Sequence, residues 1–229
     1  MEPVASNVAH IRRRIASAAG RAGRDPSSVR LIAVTKTVDV ERAAEAISAG
    51  VLDLGESRVQ EARRKFDVIG AKAQWHMIGP LQTNKAKYCP GLFSLIHSLD
   101  RLELMEELSR RSLGEGLVMR GLLQVNLTGE TQKGGCRPQD AADILKAASR
   151  LPGLRIEGLM TIPRFSDDPE DSRPVFRALL ELRADLDRIG IENTGLDEIS
   201  AGMTGDFEVA VEEGATMVRV GSAIFGERG

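Results

Sequence analysis

The sequence predicts an α/β protein in which a single domain, residues 1–229, folds as a (β/α)8 TIM barrel. Three observations predict this fold. Eight short apolar runs occur along the chain, amphipathic stretches with helical spacing separate them, and the first four runs begin at positions 31, 53, 74 and 95. The separation of 21 or 22 residues accommodates one strand and one short helix. Strict alternation of strands and helices implies a parallel sheet, and eight such units close a barrel.

The first predicted element is a helix that begins near Val4 and precedes the first strand. Its arginine run, residues 12–14, is typical of a solvated helix face. Farther along, Gly50 and Gly70 are typical of helix ends, and Asp100 is typical of a helix start. The predicted strands are, in chain order, Leu31–Lys36, Asp53–Ser57, Gln74–Gly79, Leu95–Asp100, Gly121–Leu127, Ile156–Ile162, Glu198–Met203 and Thr216–Gly221.

An open, doubly wound sheet is the alternative architecture. Such sheets bind dinucleotides at a glycine-rich turn directly after the first strand. This chain reads Thr35-Lys36-Thr37 at that place, so the glycine-rich fingerprint is absent and the barrel is favoured. No linker, low-complexity segment or shift in composition divides the series, which favours one domain.

Charge and composition exclude several classes of function. A net charge of −2 offers no electrostatic reason to expect nucleic acid or an anionic membrane as partner. The sequence has no apolar run long enough to span a bilayer and no signal region after Met1, so we expect a cytoplasmic protein. Cys89 and Cys136 lie far apart, and the three histidines share no metal-ligand spacing. We therefore expect neither a disulfide framework nor a metal site.

The loops after the seventh and eighth strands are the most informative part of the sequence. In a (β/α)8 barrel, function lies at the carboxyl ends of the strands, often with a phosphate site after these two. The segments EISAGMTGDFEVAV and TMVRVGSAIFGE bring small and hydroxyl-bearing residues to two helix starts, a pattern that suits an anion. Ordinary helix capping explains either loop alone equally well. Their joint position favours a phosphate site, and its candidate residues are Ser200, Gly202, Thr204, Gly221 and Ser222.

Lys36 and Arg219 add two cations to this region. Arg219 lies two residues before Gly221, and its side chain either faces the barrel interior or pairs outside with a helix acid. Lys36 ends the first strand, which neighbours the eighth in a closed barrel. Most lysines at strand ends extend into solvent. A nearby cation and desolvation would instead lower its pKa from about 10.4 and make its amine a nucleophile. A nucleophilic amine, an arginine and a phosphate site together describe a site for pyridoxal 5′-phosphate.

Several motifs in order make the sequence resemble the pyridoxal-phosphate homeostasis proteins. The matching segments are LIAVTKT, GESRVQEA, WHMIGPLQTNK, QVNLTGETQKGG, GLMTI and ISAGMTGDFEVAVEEGATMVRVGSAIFGER. The resemblance implies a monomeric barrel of the alanine-racemase type (fold type III). It also implies binding of pyridoxal 5′-phosphate and a role in intracellular vitamin B6 homeostasis without established catalysis. Apo-enzymes that use the cofactor are the implied recipients.

The resemblance also implies roles for individual residues. Lys36 would form the aldimine with the cofactor, and Arg219 would face its pyridine nitrogen. The phosphate end would be held by Ser200, Gly202, Thr204, Gly221 and Ser222. At the tip of the second strand the family commonly has asparagine; Ser57 keeps a hydrogen-bonding group there but lacks the amide. His76 and Lys133 lie in matching motifs without an assigned role.

Two enzymes are the alternatives to a binding protein. A racemase would need a second base opposite Lys36, which related racemases take from a tyrosine of an additional C-terminal domain. This chain ends at Gly229, and nothing in the sequence aims its single tyrosine, Tyr88, at Lys36. The second alternative is an aldolase whose lysine reacts with the substrate directly, and it leaves Arg219 unexplained. We therefore expect a cofactor-binding protein, with a racemase as the alternative.

Overall fold

The structure is a computed structural model that describes residues 3–130 and 134–226. It contains a closed barrel of parallel strands in chain order, in which the first strand pairs with both the second and the eighth. The predicted (β/α)8 barrel is therefore confirmed. The strands are β1 (Arg30–Val34), β2 (Asp53–Glu56), β3 (Gln74–Met77), β4 (Leu95–Leu99), β5 (Met119–Gln124), β6 (Leu154–Met160), β7 (Thr194–Ser200) and β8 (Met217–Val220).

Helices follow seven of the strands, and one further helix precedes β1. After β3 the connection is a 3-10 helix, Thr83–Tyr88, in place of an α-helix. The α-helices of the described residues are α1 (Val4–Arg21), α2 (Val40–Ser48), α3 (Val59–Ile69), α4 (Leu102–Gly114), α5 (Ala141–Ala148), α6 (Arg173–Ile189), α7 (Phe207–Glu213) and α8 (Ser222–Phe225). Across residues 3–130 and 134–226, no helix combines the length and the apolar character that crossing a membrane requires.

The ends of the elements differ from the predicted ones by a few residues. Each strand ends one to three residues before its predicted end, because the apolar and small residues of the strand tips continue the strand pattern after the backbone has turned away. Gly70 is the C-terminal cap of α3, as predicted. Asp100 does not cap α4: the N-cap is Arg101, whose Nη1 pairs with Asp100 Oδ1 at 2.7 Å.

The arginine run of α1 is only partly a solvated face. Arg12 donates from Nη2 to the carbonyl oxygen of Gly50 at 2.7 Å. The guanidinium of Arg14 lies 4.7 Å from the centre of the Phe207 ring and pairs with Glu208 Oε2 at 2.8 Å. These contacts fasten α1 to the end of α2 and to α7, beside the loop that follows β7.

Apolar side chains form two separate cores. The larger core lies between the barrel and the helices and includes Trp75 and Phe176. The smaller one fills part of the barrel interior and consists of Ile32, Leu95, Leu122, Met160 and Met217. Since alternate residues of a strand share a face, Met217 and Arg219 both point into the barrel. The interior is thus apolar in one part and polar where Arg219 lies.

Candidate functional site

A cavity of about 420 Å³ opens at the carboxyl ends of the strands. Its walls come from residues at the tips of β1, β2, β3, β6, β7 and β8, and its size suits a small molecule. Six of the eight predicted site residues line it, namely Lys36, Ser57, Thr204, Arg219, Gly221 and Ser222. A second cleft, of about 490 Å³, lies at the opposite end of the barrel beside Arg12 and Asp53. That end of a (β/α)8 barrel serves stability in known enzymes, so the first cavity is the candidate site.

Lys36 lies on a tight turn just beyond β1. The N–H of Val38 donates to the carbonyl oxygen of Thr35 at 2.9 Å, which places Lys36 and Thr37 at the two central positions of the turn. Thr37 has a φ of +62°, a left-handed conformation that costs a β-branched residue about 1–2 kcal/mol. Its N–H donates to Glu61 Oε2 at 3.2 Å, which helps to hold this backbone. The fold therefore strains the chain at the residue next to Lys36, as is common at functional sites.

A buried ion pair supports this turn from below. Lys65 Nζ donates to Glu56 Oε1 and to the carbonyl oxygen of Thr35, both at 2.5 Å. The Thr35 hydroxyl donates to the same Glu56 oxygen at 2.6 Å. Glu56 is fully buried and Lys65 is 6% exposed. Burial raises the pKa of Glu56, while the bonds from Lys65 and Thr35 oppose the rise. This cluster ties α3, β2 and the residue before Lys36 together.

Arg219 forms part of the cavity floor and is 4% exposed. Its Nη1 donates to Ser200 Oγ at 2.5 Å, and its Nη2 donates to the carbonyl oxygen of Thr161 at 3.1 Å. The side chain thus faces the barrel interior, one of the two orientations that the sequence left open. Burial lowers the pKa of Arg219 to about 10, so it stays a cation at neutral pH.

Hydroxyl groups gather at the part of the cavity wall that follows β7 and β8. Ser222 Oγ lies 3.3 Å from Thr204 Oγ1, and the N–H of Gly221 points to the same Thr204 oxygen at 3.4 Å. Thr204 belongs to the turn before α7, which begins at Phe207, later than the sequence suggested. Two hydroxyls and a backbone N–H therefore lie within hydrogen-bond distance of one another at the cavity wall, and an anion bound there could accept from them in place of the Thr204 oxygen.

Ser200 and Gly202 lie one layer beneath the cavity wall. Ser200 is fully buried, and its hydroxyl contacts Arg219 and His97. Gly202 has a φ of +88°, and a Cβ there would lie 2.6 Å from the Cβ of Ala210. Only glycine lets this loop pack so closely on α7. Both residues support groups that line the cavity.

Ser57 lines the cavity beside a close approach of two strand tips. A Cβ at Gly79 would lie 2.6 Å from the carbonyl oxygen of Ser57, so glycine allows the tip of β3 to approach the tip of β2. His76 is buried in the barrel interior. Lys133 lies outside the described residues. Tyr88 packs against Arg63, whose guanidinium lies 4.9 Å from the ring centre, on the outside of the barrel.

Sequence reasoning missed the loop after β6 and one acid in the loop after β7. Arg164 and Phe165, after β6, line the cavity, and Phe165 is 90% exposed. Asp206 also lines it; its Oδ1 accepts from the N–H of Met203 at 2.7 Å and its Oδ2 from the Ser172 hydroxyl at 2.9 Å. The position of Arg164, directly after a predicted strand, was a usable signal. Ser172 had none, because it lies at the start of α6 in sequence.

The cavity wall combines three kinds of chemistry. Lys36 supplies an amine that can form an imine with an aldehyde, Arg219 supplies a fixed cation, and the Thr204 cluster supplies donors for an anion. Lys36, Arg219 and Asp206 lie at the tips of different strands. They come together only in the folded barrel. These donors fit a ligand that carries both an aldehyde and a phosphate.

Comparisons with known proteins show the family of this chain. The family model for the alanine racemase N-terminal domain matches residues 6–229. The pyridoxal phosphate homeostasis protein of Aquifex aeolicus is 44% identical over 216 residues, 94% of either chain. The protein of the same name from Pseudomonas aeruginosa is 41% identical and covers 100% of this chain and 97% of its own. A structure of PipY from Synechococcus elongatus with PLP bound has a TM-score of 0.86, 34% identity, and coverage of 97% of this chain and 100% of its own.

Proposed function

This chain belongs to the family of the alanine racemase N-terminal domain and, within it, to the pyridoxal phosphate homeostasis proteins, and from that membership we propose that it binds pyridoxal 5′-phosphate at the mouth of the barrel. The observation that carries the proposal is the meeting of Lys36, Arg219 and the Thr204–Ser222 hydroxyls in one cavity. The PLP bound to PipY supports it.

Each part of the cofactor has a counterpart in the cavity. We propose that Lys36 Nζ forms a Schiff base with the aldehyde, that Arg219 faces the pyridine nitrogen, and that Thr204, Gly221 and Ser222 bind the phosphate. Bound pyridoxal phosphate can act as an electron sink for a carbanion. An arginine beside the ring nitrogen keeps that nitrogen unprotonated, because two adjacent cations repel each other. An unprotonated ring nitrogen weakens the electron sink. The arrangement therefore favours binding of the cofactor over catalysis with it.

A racemase is the alternative, and the cavity offers little support for it. Racemisation needs a second base on the face of the substrate opposite Lys36. The single tyrosine of the chain, Tyr88, packs against Arg63 outside the barrel. The carboxylate of Asp206 already accepts bonds from Met203 and Ser172. Within the described part of the cavity wall, no side chain is available as the second base.

One experiment tests binding and separates the two functions. Adding pyridoxal phosphate to the ligand-free protein is expected to produce a saturable visible absorbance band, and the protein should be yellow. The loaded protein is then incubated with L-alanine in D₂O. We expect α-deuteration no faster than with free pyridoxal phosphate. Absence of the band would contradict cofactor binding, whereas rapid deuteration with inversion would support the racemase.

Removing a phosphate donor is expected to weaken the cofactor's retention. Thr204→Ala or Ser222→Ala deletes one hydrogen bond to a charged oxygen, a loss of about 1.5–3 kcal/mol, or about tenfold to 150-fold in Kd. Equilibrium dialysis with pyridoxal phosphate measures it. Pyridoxal, which lacks the phosphate, is the control and should bind the variants and the parent protein alike. Equal losses for both ligands would show that the hydroxyls serve only the fold.

A protein that binds a reactive cofactor without consuming it can serve as its carrier in the cell. We propose that the protein serves vitamin B6 homeostasis in the cytoplasm and that apo-enzymes which use pyridoxal phosphate are its recipients. A monomer suffices for binding, since Lys36, Arg219 and the Thr204 cluster all come from one chain.

A further inference from the structure

Five polar side chains form an unbroken line through the barrel interior. At the amino end of β2, Asp53 Oδ1 lies 2.9 Å from His76 Nε2. His76 Nδ1 lies 2.9 Å from His97 Nε2, and His97 Nδ1 lies 2.8 Å from Ser200 Oγ. Ser200 Oγ also accepts from Arg219 Nη1, at the cavity floor. The line therefore joins the amino end of the barrel to the candidate cofactor site.

The chemistry of its two ends gives the line one direction. A guanidinium can only donate and a carboxylate can only accept. Ser200 Oγ accepts from Arg219, so its own proton is available to His97 Nδ1. His97 then carries its proton on Nε2 and donates to His76 Nδ1. His76 in turn carries its proton on Nε2 and donates to Asp53. Every bond is satisfied while both imidazoles are neutral.

The opposite direction is less favourable. It would require a proton on both nitrogens of His76 and a proton on His97 Nδ1. Ser200 would then accept from both neighbours and lose the acceptor for its own hydroxyl proton, an unfavourable state for a buried group. Burial, followed by the charges of His76, Arg219 and Arg30, holds the pKa of His97 well below its ordinary value.

We propose that Asp53, His76, His97 and Ser200 are positioning residues whose one-directional hydrogen-bond chain holds the Arg219 guanidinium in a single orientation at the cavity floor. Arg219 is thereby fixed before any ligand arrives, so little side-chain entropy is lost on binding. The inference rests on the proposed function only for the identity of the ligand that Arg219 meets. The order of the chain is a property of the ligand-free protein.

Nuclear magnetic resonance of the ligand-free, 15N-labelled protein tests this order. Two-bond 1H–15N correlations distinguish a protonated ring nitrogen from an unprotonated one. At pH 7 we expect both His76 and His97 to be protonated on Nε2 alone. His10, exposed on α1, is the reference for a solvated imidazole in the same spectrum. A proton on Nδ1 of either ring would overturn the proposal. Because no cofactor is added, this result is independent of whether the protein binds pyridoxal phosphate.

Two serine variants then test the link to Arg219. Ser200→Ala removes the oxygen between Arg219 and His97; we expect the His97 ring signals to shift and pyridoxal-phosphate affinity to fall about fivefold. Ser109→Ala is the matched control, since Ser109 is a buried serine of α4 that accepts from the N–H of Gly153 at 3.0 Å, away from the barrel interior. It should leave both readouts unchanged. His97 signals unmoved by Ser200→Ala, or moved equally by Ser109→Ala, would contradict the chain.

Discussion

Lys36→Ala is expected to abolish covalent attachment of pyridoxal phosphate while the barrel stays folded. Among the described residues that line the cavity, Lys36 contributes the only primary amine; the other cations, Arg164 and Arg219, are guanidiniums that do not form imines with the aldehyde. Lys65 also lies close to the turn, but its amine donates to Glu56 and to the carbonyl oxygen of Thr35. The visible band should disappear, and non-covalent binding through the phosphate donors should remain.

Borohydride reduction followed by peptide mass spectrometry measures the attachment site. The parent protein should carry the reduced adduct on Lys36 and the variant none. Lys72→Ala, at an exposed lysine before β3, is the matched control and should label like the parent protein. A stoichiometric adduct on Lys65 or any other single lysine in Lys36→Ala would refute the assignment. Circular dichroism and thermal unfolding of the variant exclude loss of the fold as the cause.

Lys65→Met is expected to destabilise the fold strongly, by about 3–5 kcal/mol in the free energy of unfolding. The ammonium of Lys65 is the only cation that the described residues place within salt-bridge distance of Glu56, whose Oε2 is buried and has no hydrogen-bond partner in that part of the chain. Removing Lys65 leaves an uncompensated carboxylate in the protein interior. Denaturant unfolding at pH 7 measures the loss.

The pH dependence of that loss identifies Glu56 as its origin. Burial already raises the pKa of Glu56, and loss of the opposing Lys65 raises it further. A carboxyl whose pKa is higher in the folded than in the unfolded state destabilises the fold as pH rises above its unfolded value of about 4.3. Lys65→Met should therefore cost less at pH 4 than at pH 8.

A double variant provides the control for this prediction. Glu56→Gln combined with Lys65→Met removes both charges and keeps an acceptor for the Thr35 hydroxyl, so it should recover most of the lost stability. A single variant that loses less than about 1 kcal/mol at pH 7 would mean that water reaches the pair. A loss that does not change with pH would assign it to packing of the Lys65 stem.

The site was predictable to the extent that it follows from strand order. Lys36 and Arg219 lie far apart in sequence, yet a barrel makes the first and last strands neighbours, so their proximity could be predicted. The depth of each residue in the barrel could not be predicted. Ser200 and Gly202 share a segment with Thr204, but the first two are buried, whereas Thr204 lies on the cavity wall.

The sequence by itself determined the barrel, its closure and the end at which the site lies. These follow from the alternation of strands and helices, from the count of eight units and from the absence of a glycine-rich turn after the first strand. Only the tertiary structure decided which way Arg219 points and why the chain is strained beside Lys36. It also decided that His97 of β4 contacts both His76 of β3 and Ser200 of β7. The physical reason is that side-chain hydrogen bonds across the barrel depend on strand register and on depth in the interior. Neither quantity leaves a periodic signal in the sequence.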